Sequence, residues 1–227
     1  PPLNIQQQIV AECEKVDEEY STAQHAIEEN KRKIEKLMSE VKGEVMKIKD
    51  LCSLIKRGKS PVYGNSNLQI IKSGQARGYT DFVFETKYFA AERFIADDRI
   101  LQPGDILINS TGVGTAGRVT LFELSGKFTV DSHITICRLN KNIIPRFVLY
   151  SLAKIGFKTI EKMANGASGQ IELSLPTISN IALPIPSLEE QKHIVQKIAT
   201  YEAAITNAKS VLSACADKKK MILDKWL

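Results

Sequence analysis

The sequence predicts an α+β protein: a globular mixed α/β domain with a β-rich core, flanked by two long antiparallel coiled-coil helices. Three observations carry that reading. The start of the chain is repeated at its end with a fixed offset of 185, so that Pro1 matches Pro186, Leu3 matches Leu188, Gln6 matches Gln191 and Ile9–Val10 matches Ile194–Val195. Both copies place inward residues in alternating steps of four and three, the 3.5-residue period of a coiled-coil seam. Between them the period breaks at Gly43, and short apolar runs bounded by Gly, Pro, Asn and Ser follow, a pattern of strands and turns. The expected division is 1–42 for the first helix, 43–185 for the inserted domain and 186–227 for the second helix.

Residues 4–42 contain no Pro or Gly and many Glu, Lys, Gln and Ala, and Gly43 supplies the stop. At about 1.5 Å per residue such a helix reaches about 57 Å. Its seam runs through Ile9, Cys13, Val16, Tyr20, Ala23, Ile27, Asn30, Ile34, Leu37 and Val41. Asn30 is the polar exception, a residue type that sets register or orientation. Val45–Ile55 is mixed, and Lys56–Pro61 reads as a basic loop. Leu68–Lys72 is a strand candidate, and Ser73–Tyr79 a polar loop rich in donors. A helical turn is expected over Phe89–Ile95. Pro103-Gly104 turns into a strand at Asp105–Asn109, and the loop Ser110–Gly117 follows. Strands are expected at Arg118–Glu123, Phe128–Val130 and Ile134–Leu139. Pro145 opens a helix over Arg146–Ile155, a second helical piece covers Lys158–Met163, and Asn165–Gln170 reads as a polar loop. Ile181–Ile185 closes the domain. The second seam takes Ile194, Ile198, Tyr201, Ile205, Ala208, Leu212, Cys215, Lys219, Ile222 and Trp226.

If the helices pair within one chain they run antiparallel, Ile9 meeting Trp226 and Val41 meeting Ile194, a constant index sum of 235. The same surfaces would also permit a homodimer through the helices. The positions expected to hold either pairing are Ile9, Val16, Ile27, Leu37, Ile194, Ile198, Ile205, Leu212 and Ile222.

At 227 residues with 43% apolar content the chain can bury a sizeable core. Neither heptad segment holds an uncharged run of membrane-spanning length, and no secretory leader is visible. The chain starts at proline inside a repeat, which reads as a piece of a longer polypeptide or a processed form. Cys13, Cys52, Cys137 and Cys215 are far apart and match no metal-ligand spacing. Reduced thiols in a cytoplasmic protein are expected. Of the net charge of +5, the central region contributes an excess of Lys and Arg, densest over Gly43–Thr80. A basic stretch rich in loops fits nucleic acid.

The chemical motifs are weak. Gly112–Gly117 has the form GxGxxG, but a β-like segment follows where a dinucleotide fold needs a helix. Gly58-Lys59-Ser60 lacks the earlier glycine of a phosphate-binding loop, since position 53 is Ser53, and Pro61 follows. Asp131-Ser132-His133 raises a hydrolytic triad, yet three consecutive strand residues do not converge on one atom. His25 and His193 lie off the seams. No catalytic centre, cofactor or metal is expected.

The repeated proline/leucine, glutamine and isoleucine-valine entry, with Pro-Ile-Pro-Ser-Leu-Glu-Glu-Gln at 184–191 in its second copy, and the strand Gly104–Asn109 inside the inserted domain resemble the specificity subunit of type I restriction–modification systems. So does the Gly166–Gln170 loop. The resemblance covers essentially the whole chain, and it implies a target recognition domain between two conserved helices, with one recognition domain here where a full subunit carries two. It implies binding of double-stranded DNA at one half of a bipartite site. It also implies helices that act as a ruler and dock methyltransferase (modification) subunits, with the restriction subunit joining through the complex.

For such a role phosphate contacts need Lys, Arg and loop amides, and base edges need Gln, Asn, Ser or Arg. The candidates are Lys56, Arg57, Lys59, Ser60 and Tyr63 in the first loop, and Lys72, Ser73, Gln75, Arg77 and Tyr79 in the second. Asn109, Ser110, Thr111 and Arg118 border the glycine loop, with Ser132, His133, Asn165, Ser168 and Gln170 beyond it. Two other functions compete: a coiled-coil assembly protein whose central domain ignores DNA, and a nucleotide-dependent enzyme using the glycine loop.

Overall fold

The computed structural model describes residues 1–167 and 170–226. They form two compact units, one made of Pro1–Glu40 with His193–Leu227, the other of Val41–Lys192.

The first unit is the helix pair. α1 spans Leu3–Ser39, and the long C-terminal helix spans Leu188–Trp226. They pack antiparallel within one chain: Ala23, Ile27 and Ala208 are buried together, and Ala26, Ile205 and Leu212 flank them. Along the edges Asp17 pairs with Lys219 at 2.5 Å, Glu12 with Lys225 at 3.3 Å, and Glu19 with Lys218. These ion pairs across the helices have index sums of 236 and 237, within two of the 235 expected from the repeat. They are solvent-exposed and contribute little. The buried Ala/Ile/Leu contacts therefore hold the pair. Tyr20, expected on the seam, is 41% exposed. Asn30 donates its Nδ2 to the Ala26 carbonyl at 2.7 Å, one turn back in its own helix.

The second unit begins with β1 (Glu44–Lys47). There follow α2 (Ile48–Leu51), β2 (Cys52–Arg57), β3 (Gln69–Ile71), β4 (Ala76–Gly78), β5 (Asp81–Phe82) and β6 (Tyr88–Phe89). Next come β7 (Ile106–Asn109), β8 (Val119–Leu121), β9 (Phe128–Val130), β10 (Ile134–Leu139), α3 (Pro145–Ile155) and α4 (Phe157–Glu161). β11 (Asn165–Ala167), β12 (Gln170–Glu172), α5 (Leu175–Ser179) and β13 (Ala182–Ile185) complete the unit, and the C-terminal helix is α6.

Its main sheet has the order β2-β10-β7-β8, antiparallel throughout. β7 and most of β10 are buried on both faces, which is why they read as unbroken apolar runs. A three-stranded sheet, β6-β3-β9, runs β3 parallel to β9. The core between them collects Ile71, Leu107, Phe122, Phe128, Ile134 and Ile136. Phe122 sits at its centre, edge-on to Phe128 at 5.4 Å and to Phe82 at 6.2 Å between ring centroids, an arrangement that adds to area burial. Asp105, 1% exposed, takes a two-pronged ion pair from Arg138 at 2.8 Å and also accepts from the Gln102 amide. β1 pairs antiparallel with β13, Glu44 opposite Ile185, and so joins the two ends of the unit.

The repeat extends to hydrogen bonds. Gln191 donates to the Pro186 carbonyl at 3.0 Å, and Gln6 donates to the Pro1 carbonyl at 2.9 Å. Gln191, buried, also accepts from the Ile144 amide where α3 begins.

Several local expectations change. Lys56 and Arg57 lie in β2, opposite Ile136 and Thr135, because the strand continues to its register limit before the turn at Gly58. No helix forms over Phe89–Ile95: β6 ends at Phe89, and the only helical turn nearby is a 3-10 turn at Asp97–Arg99. Asn165–Gln170 is no plain loop, since β11 and β12 pair with Asn165 opposite Glu172. Ser168 lies outside the described residues. α1 ends at Ser39 rather than 42.

Candidate nucleic-acid interface

Four chain segments meet at one polar cleft of about 540 Å³ in the second unit, and three of them carry candidate residues. The first leaves β2 through Gly58, whose amide donates to the Ile134 carbonyl at 2.9 Å. The second leaves β3 at Lys72. The third is the Asp131–His133 turn between β9 and β10, tied to β3 by the Asp131 amide donating to the Ile71 carbonyl at 3.1 Å. From the candidate residues, Ser60 and Tyr63, Lys72 and Arg77, and Ser132 and His133 line this cleft, with Ser73 and Gln75 beneath them.

Gln75 is a bolt for the turn and not a free reader. Its Oε1 accepts from the Lys72 amide at 3.0 Å and its Nε2 donates to the Thr86 carbonyl at 2.6 Å, and it is 8% exposed. Lys72 stands over the Tyr88 ring at 3.9 Å and the Tyr63 ring at 5.1 Å, a cation–π post. The Tyr63 hydroxyl beside it is the main cause that pushes the Lys72 pKa up, and the nearby Asp131 adds to it. Asp131 accepts from the His133 amide at 2.9 Å; burial pushes its carboxyl pKa up, against the pull of His133 and Lys72. The His133 ring is held by Thr111, whose Oγ1 lies 2.6 Å from Nδ1. Asp131 therefore meets the backbone of His133 and not its ring, and no hydrolytic triad forms.

His133 also borders a second cleft, with Thr111, Gly112, Asn165 and Glu172. Tyr79 lies beside a third hollow with Arg118 and Leu149. It is exposed and holds a left-handed backbone, φ 52°, and its amide and carbonyl bond Val119 and Leu121.

Most of the remaining candidates are committed to bonds within the protein. Asn109 and Ser110 are fully buried. Asn109 donates to the Ser73 carbonyl at 2.8 Å, and Ser110 bonds Ile108 and Thr135. Arg57 donates to the Leu173 carbonyl at 2.6 Å and pairs with Glu172 at 3.0 Å. Arg118 donates to the carbonyls of Ala76 and Gly114. Lys59 pairs with Asp97 at 2.6 Å and Lys56 with Asp98, and Lys59 and Arg99 hold the Asp97 carboxyl well below its usual range. Asn165 is exposed on β11; of Gln170 only the place in β12 is described. The glycine loop spends its amides internally: Gly112 on Ile171, Gly114 on the Glu161 carboxylate and Gly117 on Asn109. Those three glycine amides are therefore not free to cradle a pyrophosphate.

Glu85 and Thr86 also line the main cleft and were not among the candidates. Only the packing of Phe84 into the core carries them there, and no spacing in the chain announces it.

Gly58 fixes how closely the first and third segments approach. A Cβ there would lie 2.1 Å from the Asp131 carbonyl oxygen. Gly58→Ala should therefore lower stability by about 2 kcal/mol or more and open the cleft. A urea melt checks the first effect, and a wild-type midpoint would refute the close fit.

Among the described residues no helix is long and apolar enough to cross a membrane, and no cluster of His, Cys, Asp or Glu could hold a metal ion. A domain of short sheets inserted between two halves of a duplicated helix pair, with loops gathered round a polar cleft, has the build of a recognition module. The family model for the type I restriction modification DNA specificity domain matches residues 40–212, and the chain belongs to that family. A relative from Methanocaldococcus jannaschii, named "Putative type I restriction enzyme MjaX specificity subunit", is 28% identical over 126 residues, 54% of this chain and 30% of its own length. The fold is shared with the HsdS subunit from Thermoanaerobacter tengcongensis (TM-score 0.73, 18% identity, all of this chain on 59% of that one). It is also shared with the type I restriction–modification S subunit from M. genitalium (TM-score 0.59, 18% identity, all of this chain on 61%). The chain thus spans less than two thirds of the length of each of these relatives.

Proposed function

We propose that this chain recognises a specific double-stranded DNA sequence through the loops around the main cleft. It would act as a non-catalytic specificity module in the cytoplasm, placing methyltransferase and restriction subunits on one half of a bipartite target. The observation that supports this best is the convergence of Ser60, Tyr63, Lys72, Arg77 and His133, from three distant segments, on one polar cleft, in a chain of the DNA specificity family. Lys72, Arg77 and the loop amides supply phosphate and base contacts; the helix pair supplies the surface for the methyltransferase. A homodimer through the same seam is disfavoured, since α1 and α6 already fill it within one chain.

The test is selection of duplexes from a randomised library by the full chain, followed by titration of the selected duplex at several salt concentrations. One sequence should emerge. If about four phosphates are contacted, log K should fall with log salt with a slope of about −3.6. No selected sequence and no salt dependence would favour the competing reading, a helical assembly protein.

A further inference from the structure

The main cleft carries both signs of charge, and that is informative. A surface built only for phosphates would present donors and cations. Here the exposed Glu85 and the buried Asp131 face the same space as Lys72, Arg77 and His133. Phosphate would be repelled from the Glu85 side. A base pair would not, because its major-groove edge offers acceptors on one base and a donor on the other.

Most polar side chains around the cleft are already spent. Lys72 is seated on two tyrosine rings, Asp131 holds the His133 amide, and Gln75 is used on both ends of its carboxamide. Arg77 and Glu85 are different. Both are exposed, and among the described residues neither makes a hydrogen bond or an ion pair, including with the other. Their backbones are nonetheless fixed. Arg77 bulges from β4 between two paired neighbours, Ala76 opposite Phe82 and Gly78 opposite Asp81, and Glu85 follows Phe84, which packs on the core. Two unspent side chains of opposite charge on a rigid frame are what direct readout requires.

We infer that Arg77 and Glu85 together read one guanine–cytosine pair of the target in the major groove. This rests on the DNA-recognition reading above. The Arg77 fork matches O6 and N7 of guanine, and the Glu85 carboxylate accepts from N4 of cytosine. The same pair rejects adenine–thymine on both sides. The N6 amine of adenine opposes the guanidinium, and O4 of thymine opposes the carboxylate.

The experiment is library selection with the full chain, wild type, Arg77→Ala and Glu85→Gln, each first shown to melt like wild type. The wild-type consensus should contain a guanine that Arg77→Ala no longer demands. Affinity for the selected duplex should fall about ten- to hundredfold, with random duplex bound much as before. Glu85→Gln should relax the same position and no other. If Arg77→Ala keeps every preference, or weakens selected and random duplexes equally, Arg77 does not read a base, while DNA recognition stands. If the wild type itself selects nothing, both readings fall together.

Discussion

Phe122→Ala should lower the free energy of unfolding by about 4 kcal/mol, the upper part of the range for emptying a core aromatic site. Phe122 is fully buried, and its ring meets Phe82 and Phe128 edge-on. The cavity cannot close easily, because those rings belong to β5 and β9, which pair with β4 and β3. Phe82 and Phe128 would each lose an aromatic neighbour as well as buried area. Urea denaturation measures this as a lower midpoint at an unchanged slope. A loss below about 1 kcal/mol would mean that the site collapses and that the core is looser than its ring geometry indicates.

Ile205→Asp combined with Leu212→Asp should part α1 from α6. Both residues flank the buried Ala23–Ile27–Ala208 contact, and each carboxylate would face an apolar seam at a cost of about 2 kcal/mol or more. An isolated helix lacking its apolar partner is marginal in water, so backbone amides in α1 should lose most of their protection against hydrogen exchange. Lys218→Ala with Lys219→Ala is the control. Those lysines make exposed ion pairs to Glu19 and Asp17, and removing them should change protection little. Protection of α1 that survived both aspartates would show that another surface holds the pair.

Long, regular features were legible in the chain. The offset of 185 and the seam period locate both helices and, for pairing within one chain, their antiparallel direction; that they do pair within the chain is seen only in the structure. β7, β10 and α3 were legible because each is continuous and apolar, and because Pro145 marks where the helix opens. Some of the short strands were not, although β3, β8 and β9, of three residues each, lie within expected runs. β1, β4, β5 and β11 run for four residues or fewer, and what makes them strands is a partner far along the chain, as Ile185 is for Glu44. The candidate interface divides along the same line. Residue type pointed to Lys72, Arg77 and His133, but it could not separate a polar residue facing solvent from one that closes a turn. Asn109 and Gln75 have the chemistry of base readers and are occupied with carbonyls of Ser73 and Thr86. Glu85 was hidden for the opposite reason, since only tertiary packing turns it toward the cleft.

The separation between polar groups that brace the cleft and those that merely face it bears on inheritance. Gln75, Asn109, Arg57 and Arg118 cannot change without loosening the turns they fasten. Arg77 and Glu85 contribute no bond to that frame, so mutation at either is nearly free of folding penalty. If those two side chains read the base pair proposed above, a lineage carrying this chain can drift to a new DNA word there while the framework is left intact.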